Sequence, residues 1–292
     1  MNRDQFRFTD RLRVRWAEID AQQIVFNGHY LMYFDTAIAA YWRALALPYH
    51  ETMQALQGDL YVRKATLDYL GSARYDDVLD VGIRCERIGT SSMRFACAVF
   101  RQGMALVTGE LVYVFADPAT QTSKPVPPAL RTTLETFEAG GAMTHAKAGR
   151  WDELAGDARR LRAEVFVREQ GVSDALEWDD IDATASHVVV YNTMGLALGT
   201  GRLYVDAAGC HRFGRVAVTA RLRSAGIGRI VLDRLIELAR AQQAAQVVLS
   251  AQVGAVPFYR RAGFAVSGDP FEEVGIAHVE MRLALRTPDP AP

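Results

Sequence analysis

Cysteine is scarce in this chain: three in 292 residues, Cys85, Cys97 and Cys210. They lie far apart, in no metal-ligand spacing, and their number is odd. That excludes a disulfide framework and a clustered zinc site, and it points to reduced thiols in a cytoplasmic protein with no bound metal. An excess of one charge is also missing. Thirty-three Lys and Arg oppose 34 Asp and Glu, and the balance holds in both halves, so nucleic acid is not an expected partner. No uninterrupted apolar run is long enough to span a bilayer, and Met1 leads directly into charged residues instead of a signal-peptide core. A membrane is therefore not an expected partner either. There is no internal repeat and no low-complexity tract. What is present is ordinary globular composition, half of it hydrophobic, at a length comfortable for two domains.

The first half predicts one long central helix and about five strands. Residues 8–18 alternate apolar and charged through Leu12, Val14 and Trp16, as a half-buried strand does. After the Asn27-Gly28 turn, the segment His29 to Leu47 is apolar on almost every face, which predicts a buried helix. Strand-like runs follow near Leu60–Tyr69, Val78–Ile88, Ser92–Arg101 and Ala105–Ala116, with a turn at Arg101-Gln102-Gly103. A terminal helix is expected over Ala129–Glu138. The small residues Ala139 to Ala142 then form the best linker candidate and divide the chain into domains 1–140 and 141–292.

The second half predicts α/β alternation around one glycine turn. Strands are expected at Met143–Gly149, Ser186–Tyr191, Leu196–Val205, Cys210–Val218 and Ala245–Ala251, with a helix from Trp151. Between the last two strands, a β-branched run from Val216 to Thr219 leads into the turn Arg221–Gly228. Apolar residues Ile230, Val231, Leu235 and Leu238 then recur at helical spacing. Strand, glycine turn, helix is the arrangement that aims backbone N–H groups at an anion, assisted by the helix dipole. The turn is not a P-loop, since no Gly-Lys-Ser/Thr follows, nor a dinucleotide fingerprint, since Gly-x-Gly-x-x-Gly is absent. A nucleotide-binding reading is disfavoured on the same ground.

Two family resemblances now become visible. Arg223-x-x-Gly226-x-Gly228, with the later run Phe258-Tyr259-x-x-x-Gly263-Phe264, resembles the acetyl-CoA-dependent N-acetyltransferases of the GNAT superfamily. The block Arg162–Val172 and the Glu177–Val189 region resemble one branch of them whose acceptors are often unknown. The segment Trp16–Tyr30, together with Asp68-Tyr69-Leu70, Arg74-Tyr75-Asp76-Asp77 and Arg87-Ile88-Gly89-x-Ser91-Ser92, resembles the 4-hydroxybenzoyl-CoA thioesterase-like branch of the hotdog acyl-CoA thioesterases. The implied fold class is α+β: a hotdog domain, an antiparallel sheet around a central helix, followed by a GNAT domain with a mixed, mostly antiparallel sheet and flanking helices.

The resemblances also imply roles. Asp20 stands at the position of the thioesterase catalytic carboxylate, and Asn27 at the helix start whose N–H polarises the thioester carbonyl. A glycine usual in that turn is replaced by Gln23. In the second half Val216 and Val218 would lie along the pantetheine arm. Arg223, Ser224, Ala225, Gly226, Ile227 and Gly228 would hold the pyrophosphate. Tyr259 would protonate the leaving thiolate, which a phenol of ordinary pKa ~10 can do at neutral pH. Acyl-CoA and acetyl-CoA enter as substrates, with no tightly bound cofactor, and the acceptor amine is unknown. A hotdog unit is expected to pair as a homodimer or homotetramer.

The residues leave other readings open. Asp20 or Asn27 could simply cap the helix, and Tyr259 could be a core tyrosine. Glu169, Glu177, Asp179 and His278 are all candidates for the base that deprotonates the amine. One domain could be silent and serve as a CoA-thioester sensor or an oligomerisation scaffold.

Overall fold

A computed structural model of the chain describes residues 1–285; the end of the expected second domain, 286–292, lies outside the described residues. The chain divides into two compact units, Met1–Met143 and Thr144–Pro292.

The first unit is an antiparallel sheet on a long helix. In chain order it comprises β1 (Phe8–Arg13), α1 (Asn27–Ala44), α2 (Tyr49–Ala55), β2 (Asp59–Tyr69), β3 (Val78–Ile88), β4 (Ser92–Arg101), β5 (Met104–Ala116) and α3 (Pro128–Glu138). The sheet order is β1-β3-β4-β5-β2. The β4–β5 hairpin turns where expected. Gln102 and Gly103 both take positive φ, 51° and 83°, the two left-handed residues a tight hairpin needs. Helix α1 turns Tyr30, Tyr33, Phe34, Ala37, Ile38, Tyr41 and Trp42 inward, a three- and four-residue spacing that lays one stripe on the sheet. Phe34 seats closely because Gly109 on β5 lacks a side chain: a Cβ there would lie 2.8 Å from the Phe34 ring and 2.6 Å from a β2 carbonyl.

Two expectations for this unit are corrected. Helix α1 is not buried all round, because one sheet covers only one side of a helix. Leu31 and Met32 remain 40% and 39% exposed, beside Asp35, Thr36, Ala39 and Arg43. The first strand also ends at Arg13, and Trp16–Glu18 forms a 3-10 turn. Trp16 is consequently 73% exposed, set edge-on to Tyr75 at 5.3 Å.

The second unit is a mostly antiparallel sheet with one parallel pair. Its elements are β6 (Thr144–Gly149), α4 (Trp151–Arg162), a π-helical segment (Ala163–Glu169), α5 (Asp174–Glu177), β7 (Ser186–Asn192), β8 (Ala197–Val205), β9 (His211–Val218), α6 (Ile227–Ala241), β10 (Gln246–Gln252), α7 (Val256–Arg261), β11 (Ala265–Val266), β12 (Phe271–Glu273) and β13 (Ile276–Ala284). The order is β11-β13-β10-β9-β8-β7-β6, with β12 on β13. Helix α4 packs Leu154, Ala158 and Leu161 onto Val189 and Ala197. The buried stripe of α6 is Ile227, Val231, Leu232, Leu235, Ile236 and Ala239, so the expected Ile230 and Leu238 sit at its margin. No helix among the described residues is long and apolar enough to cross a membrane.

The parallel pair sets up the site. Strands β9 and β10 pair only over His211–Phe213 and Val247–Leu249. Strand β9 continues to Val218 on its β8 partner and β10 to Gln252 on its β13 partner. Beyond Phe213 and Leu249 the two strands therefore part, leaving facing backbone edges without each other. A bulge contributes to the splay: Arg215 takes φ 53°, and the β8–β9 register shifts between Thr200 and Arg202.

Candidate functional site

In the first unit Asp20 sits in a tight loop, and Asn27 at the helix start that follows it. A bridge between Ile19 and Val25 closes the loop. One carboxylate oxygen of Asp20 accepts the Gln22 N–H at 2.8 Å and the more distant Ile24 N–H at 3.5 Å. Gln23, in the place of the expected glycine, takes φ 62°. A left-handed conformation costs a non-glycine residue about 1 kcal/mol or more. Asn27 is the first residue of α1 and exposed, and its side chain caps nothing; its carbonyl accepts the Tyr69 hydroxyl at 3.2 Å. Asp20 and Asn27 are not hydrogen-bonded to each other among the described residues. His29 is half-buried, edge-on to Phe26 at 5.8 Å.

The loop is held from below by a residue that sequence reasoning missed. Glu18 is buried and accepts the Arg15 N–H at 2.8 Å, the Arg15 Nε at 2.7 Å and the Tyr33 hydroxyl at 2.7 Å. Its own carbonyl accepts the Phe26 N–H that leads into α1. Burial by itself would raise the Glu18 carboxyl. Bonds from the Arg15 backbone, the Tyr33 hydroxyl and the Arg15 guanidinium outweigh it and hold the group below its usual range. Glu18 is therefore a fixed anion that positions the turn, while the second oxygen of Asp20 accepts no hydrogen bond among the described residues. The His29 N–H is bonded to the Phe26 carbonyl, whereas those of Asn27 and Gly28, which begin α1, have no intrahelical acceptor, as at any helix start. A carboxylate beside such donors can serve both sides of an acyl-transfer centre.

In the second unit the parting of β9 and β10 opens a cleft of about 970 Å³. Val216, Val218, Arg223, Ser224, Gly226, Gly228 and Tyr259 all line it, so seven of the nine positions expected here meet in one place. Ala225 and Ile227 do not line it. Ile227 is the first residue of α6 and points into the core at 2% exposure, and Ala225 is exposed on the turn. Ser224 and Gly226 take φ 67° and 86°. That alternation, just ahead of the first N–H groups of α6, is the backbone geometry of a concavity that suits an anion. A Cβ on Gly226 would meet nothing within 4 Å, whereas one on Gly228 would touch the Phe258 ring at 3.4 Å. Positive φ, not crowding by protein atoms, is what requires glycine at 226. Tyr259 makes edge contacts to Phe258 and Phe264, and burial pushes its phenol up to about 12. It thus holds its proton throughout the neutral range.

The four candidate bases have very different surroundings. Glu169 is clamped by Arg223 through two bonds of 2.6 Å. Glu177 is buried against Arg162, and its carboxylate also pairs with Arg215 at 3.2 Å. Asp179 takes both Arg202 and Arg215. Only His278 lines the cleft free of any ion pair among the described residues.

The second finding not foreseen is a buried charge cluster under the cleft wall. Arg162, 1% exposed, donates from Nε to Glu177, from Nη1 to both oxygens of Asp182 at 2.9 and 2.8 Å, and from Nη2 to the Glu177 carbonyl. Arg202 joins Asp182 to Asp179. Trp178 and Trp151 cover the Arg162 guanidinium at 4.8 and 5.6 Å. Burial lowers His187, which stays neutral and gives its Nε2–H to the Asp182 carbonyl at 3.0 Å. Three arginines against three carboxylates balance, as buried charges must. The density of carboxylates in Glu177–Asp182 was the sequence signal for it.

Comparison with known proteins divides along the same line. The thioesterase superfamily pattern matches residues 22–108, and the acetyltransferase (GNAT) domain pattern matches residues 154–285. The second half is 37% identical over 131 residues to the uncharacterized N-acetyltransferase YjcF of Bacillus subtilis, 44% of this chain and 92% of that one. The first half is 30% identical over 99 residues to a protein of Aquifex aeolicus named "Putative esterase", 34% of this chain and 77% of that one. Among solved structures, a thioesterase from Thermus thermophilus complexed with coenzyme A and Zn covers 47% of this chain and 97% of its own, at 24% identity and a TM-score of 0.41. The chain therefore belongs to two families in succession, the thioesterase superfamily in its first half and the GNAT acetyltransferases in its second.

Proposed function

We propose that the chain is a bifunctional CoA-thioester enzyme of the cytoplasm. Its first half hydrolyses acyl-CoA to a free acid and CoA, and its second transfers an acetyl group from acetyl-CoA to an amine. The observation that carries the reading is the cleft between β9 and β10. Parted backbone edges at Val216–Val218 offer amide partners to a pantetheine arm, and the Ser224–Gly228 turn offers N–H groups to a pyrophosphate at one end. Tyr259, neutral and on the same cleft, supplies a proton to the departing sulfur.

In the first half Asp20 acts on the thioester carbonyl or on water, and the α1 start at Asn27 receives the developing oxyanion. A second copy of the chain completes this half as a homodimer or homotetramer. Strand β2 is an edge strand eleven residues long with most of its side chains exposed, and the outward face of α1 presents Leu31 and Met32. An edge of that length is normally covered. A silent, CoA-thioester-binding first half is favoured by one observation, the use of an Asp20 oxygen to cap its own turn.

One assay decides. The full chain is given a panel of acyl-CoA esters with free-thiol detection, with and without a panel of primary amines. Thiol release without amine is hydrolysis, and the Asp20→Asn variant should remove most of it. Thiol release that depends on amine is transfer. Saturable binding with neither would leave the chain a sensor and refute the enzyme reading.

A further inference from the structure

The base of the transferase half is the part of the reaction that the sequence leaves open, and the surroundings of His278 narrow it. His278 stands on β13 directly opposite Gln252 of β10, so the two side chains share the sheet face that borders the cleft. Its Nδ1 lies 2.8 Å from the Ile276 carbonyl. A carbonyl oxygen only accepts, so Nδ1 carries the proton and the neutral ring presents its lone pair at Nε2. Phe271 lies against the ring face, 6.0 Å between centroids and 24° between planes, and limits its rotation. The ring is thus held in one tautomer, with its basic nitrogen at the end away from the backbone.

Apart from Glu273, the polar groups around it are committed or uncharged. Gln252, opposite, exchanges hydrogen bonds with Gln170. Glu280, two residues along β13, is taken by Arg282, Arg212 and Ser267. On the packed hairpin strand, Phe271 faces His278 and Glu272 faces Ala277. Glu273, at the exposed hairpin tip, is the remaining carboxylate on the cleft. Glu169, Glu177 and Asp179 are each held by arginine, as described above.

We infer that His278 is the catalytic base of acetyl transfer, a conclusion that rests on the transferase reading of this cleft. As the amine nitrogen attacks the acetyl carbonyl carbon, the C–N bond forms and Nε2 takes one proton from that nitrogen. The C–S bond breaks, and the sulfur leaves with the electron pair and receives the phenolic proton of Tyr259. The proton on His278 then returns to the phenolate through solvent, so the products are the N-acetyl amine and free CoA thiol.

The test uses the full chain and a panel of primary amines: an alkyl monoamine, an arylalkylamine, a polyamine and a lysyl peptide. For any amine acetylated by the wild type, His278→Gln should lower kcat/KM by about 10²–10⁴-fold, the usual worth of a general base. It should also leave the acetyl-CoA Kd within twofold. Glu273→Gln should retain the wild-type rate. A His278→Gln enzyme within threefold of wild type overturns the inference, as does a collapse confined to Glu273→Gln. If the wild type acetylates no amine while still binding acetyl-CoA, the transferase reading itself falls and the base with it.

Discussion

Replacing Arg162 by Met tests whether the buried cluster holds the second unit together. The substitution keeps much of the side-chain volume but removes four donated bonds, two to Asp182, one to the Glu177 carboxylate and one to its carbonyl. Removing one partner of a buried ion pair costs about 3–5 kcal/mol, because the other charge is left uncompensated. Here the lower end applies. Asp182 keeps Arg202 at 2.7 Å, and Glu177 keeps Arg215 at 3.2 Å. A loss of about 3 kcal/mol is a large part of the roughly 5–15 kcal/mol of an ordinary domain. In a unit of this size it corresponds to a fall in Tm of about 6–12 °C. Differential scanning calorimetry of the full chain, analysed by unit, should show that transition moving and the thioesterase-half transition staying. Arg162→Lys should recover little, since an ammonium cannot reproduce the guanidinium fork toward two carboxylates and a carbonyl. The cleft should suffer in parallel, because Glu177 and Arg215 line its wall. A shift under about 2 °C for Arg162→Met, or full rescue by Lys, would refute the argument that these charges act as one closed set.

Three further outcomes are expected. Asp20→Asn should remove most thioester hydrolysis while leaving amine-dependent thiol release unchanged; near-normal hydrolysis by the folded variant would remove Asp20 from the chemistry. Gly226→Ala should destabilise by about 1 kcal/mol from its positive φ and weaken acetyl-CoA binding in calorimetric titration. Gly228→Ala, whose Cβ meets Phe258 and Val218 at ordinary contact distance, should bind within twofold of wild type, and equal tolerance at both positions would contradict the loop assignment. For Glu18 the sign follows from its lowered folded value: the stability it contributes is complete above its unfolded pKa of ~4.3 and is lost as pH falls through the folded one. Urea midpoints of the first unit should therefore drop on acidification below that range, and Glu18→Gln should flatten the drop; an unchanged acid slope would show that other carboxylates govern it.

Much of this protein was legible because its signals are local. Strands β3 and β4 begin and end where their strand-like runs and the turn residues between them place them, since both signals lie within the strand's own sequence. The Arg223–Gly228 turn was readable for the same reason: a positive φ and a helix start are properties of six consecutive residues. The meeting of that turn with Tyr259 followed from a family resemblance, and the structure shows how it happens physically, through the parting of β9 from β10 after three paired residues.

What only the tertiary structure decided concerns charge and partnership over distance. Nothing in the spacing of the sequence marks Arg162, yet it is among the most buried side chains, matched by carboxylates 15 and 20 residues away. Glu169 reads as a free candidate base and is instead bound to an arginine 54 residues on. Trp16 continues an apolar alternation and is nonetheless exposed, because the strand ends before it. The His278 ring is placed by a carbonyl two residues earlier and by a ring across a hairpin. Hydrophobic burial leaves a periodic trace in the chain, because each element must turn one face inward. Compensation of buried charge leaves none, because its partners are chosen by the fold and not by spacing along the chain.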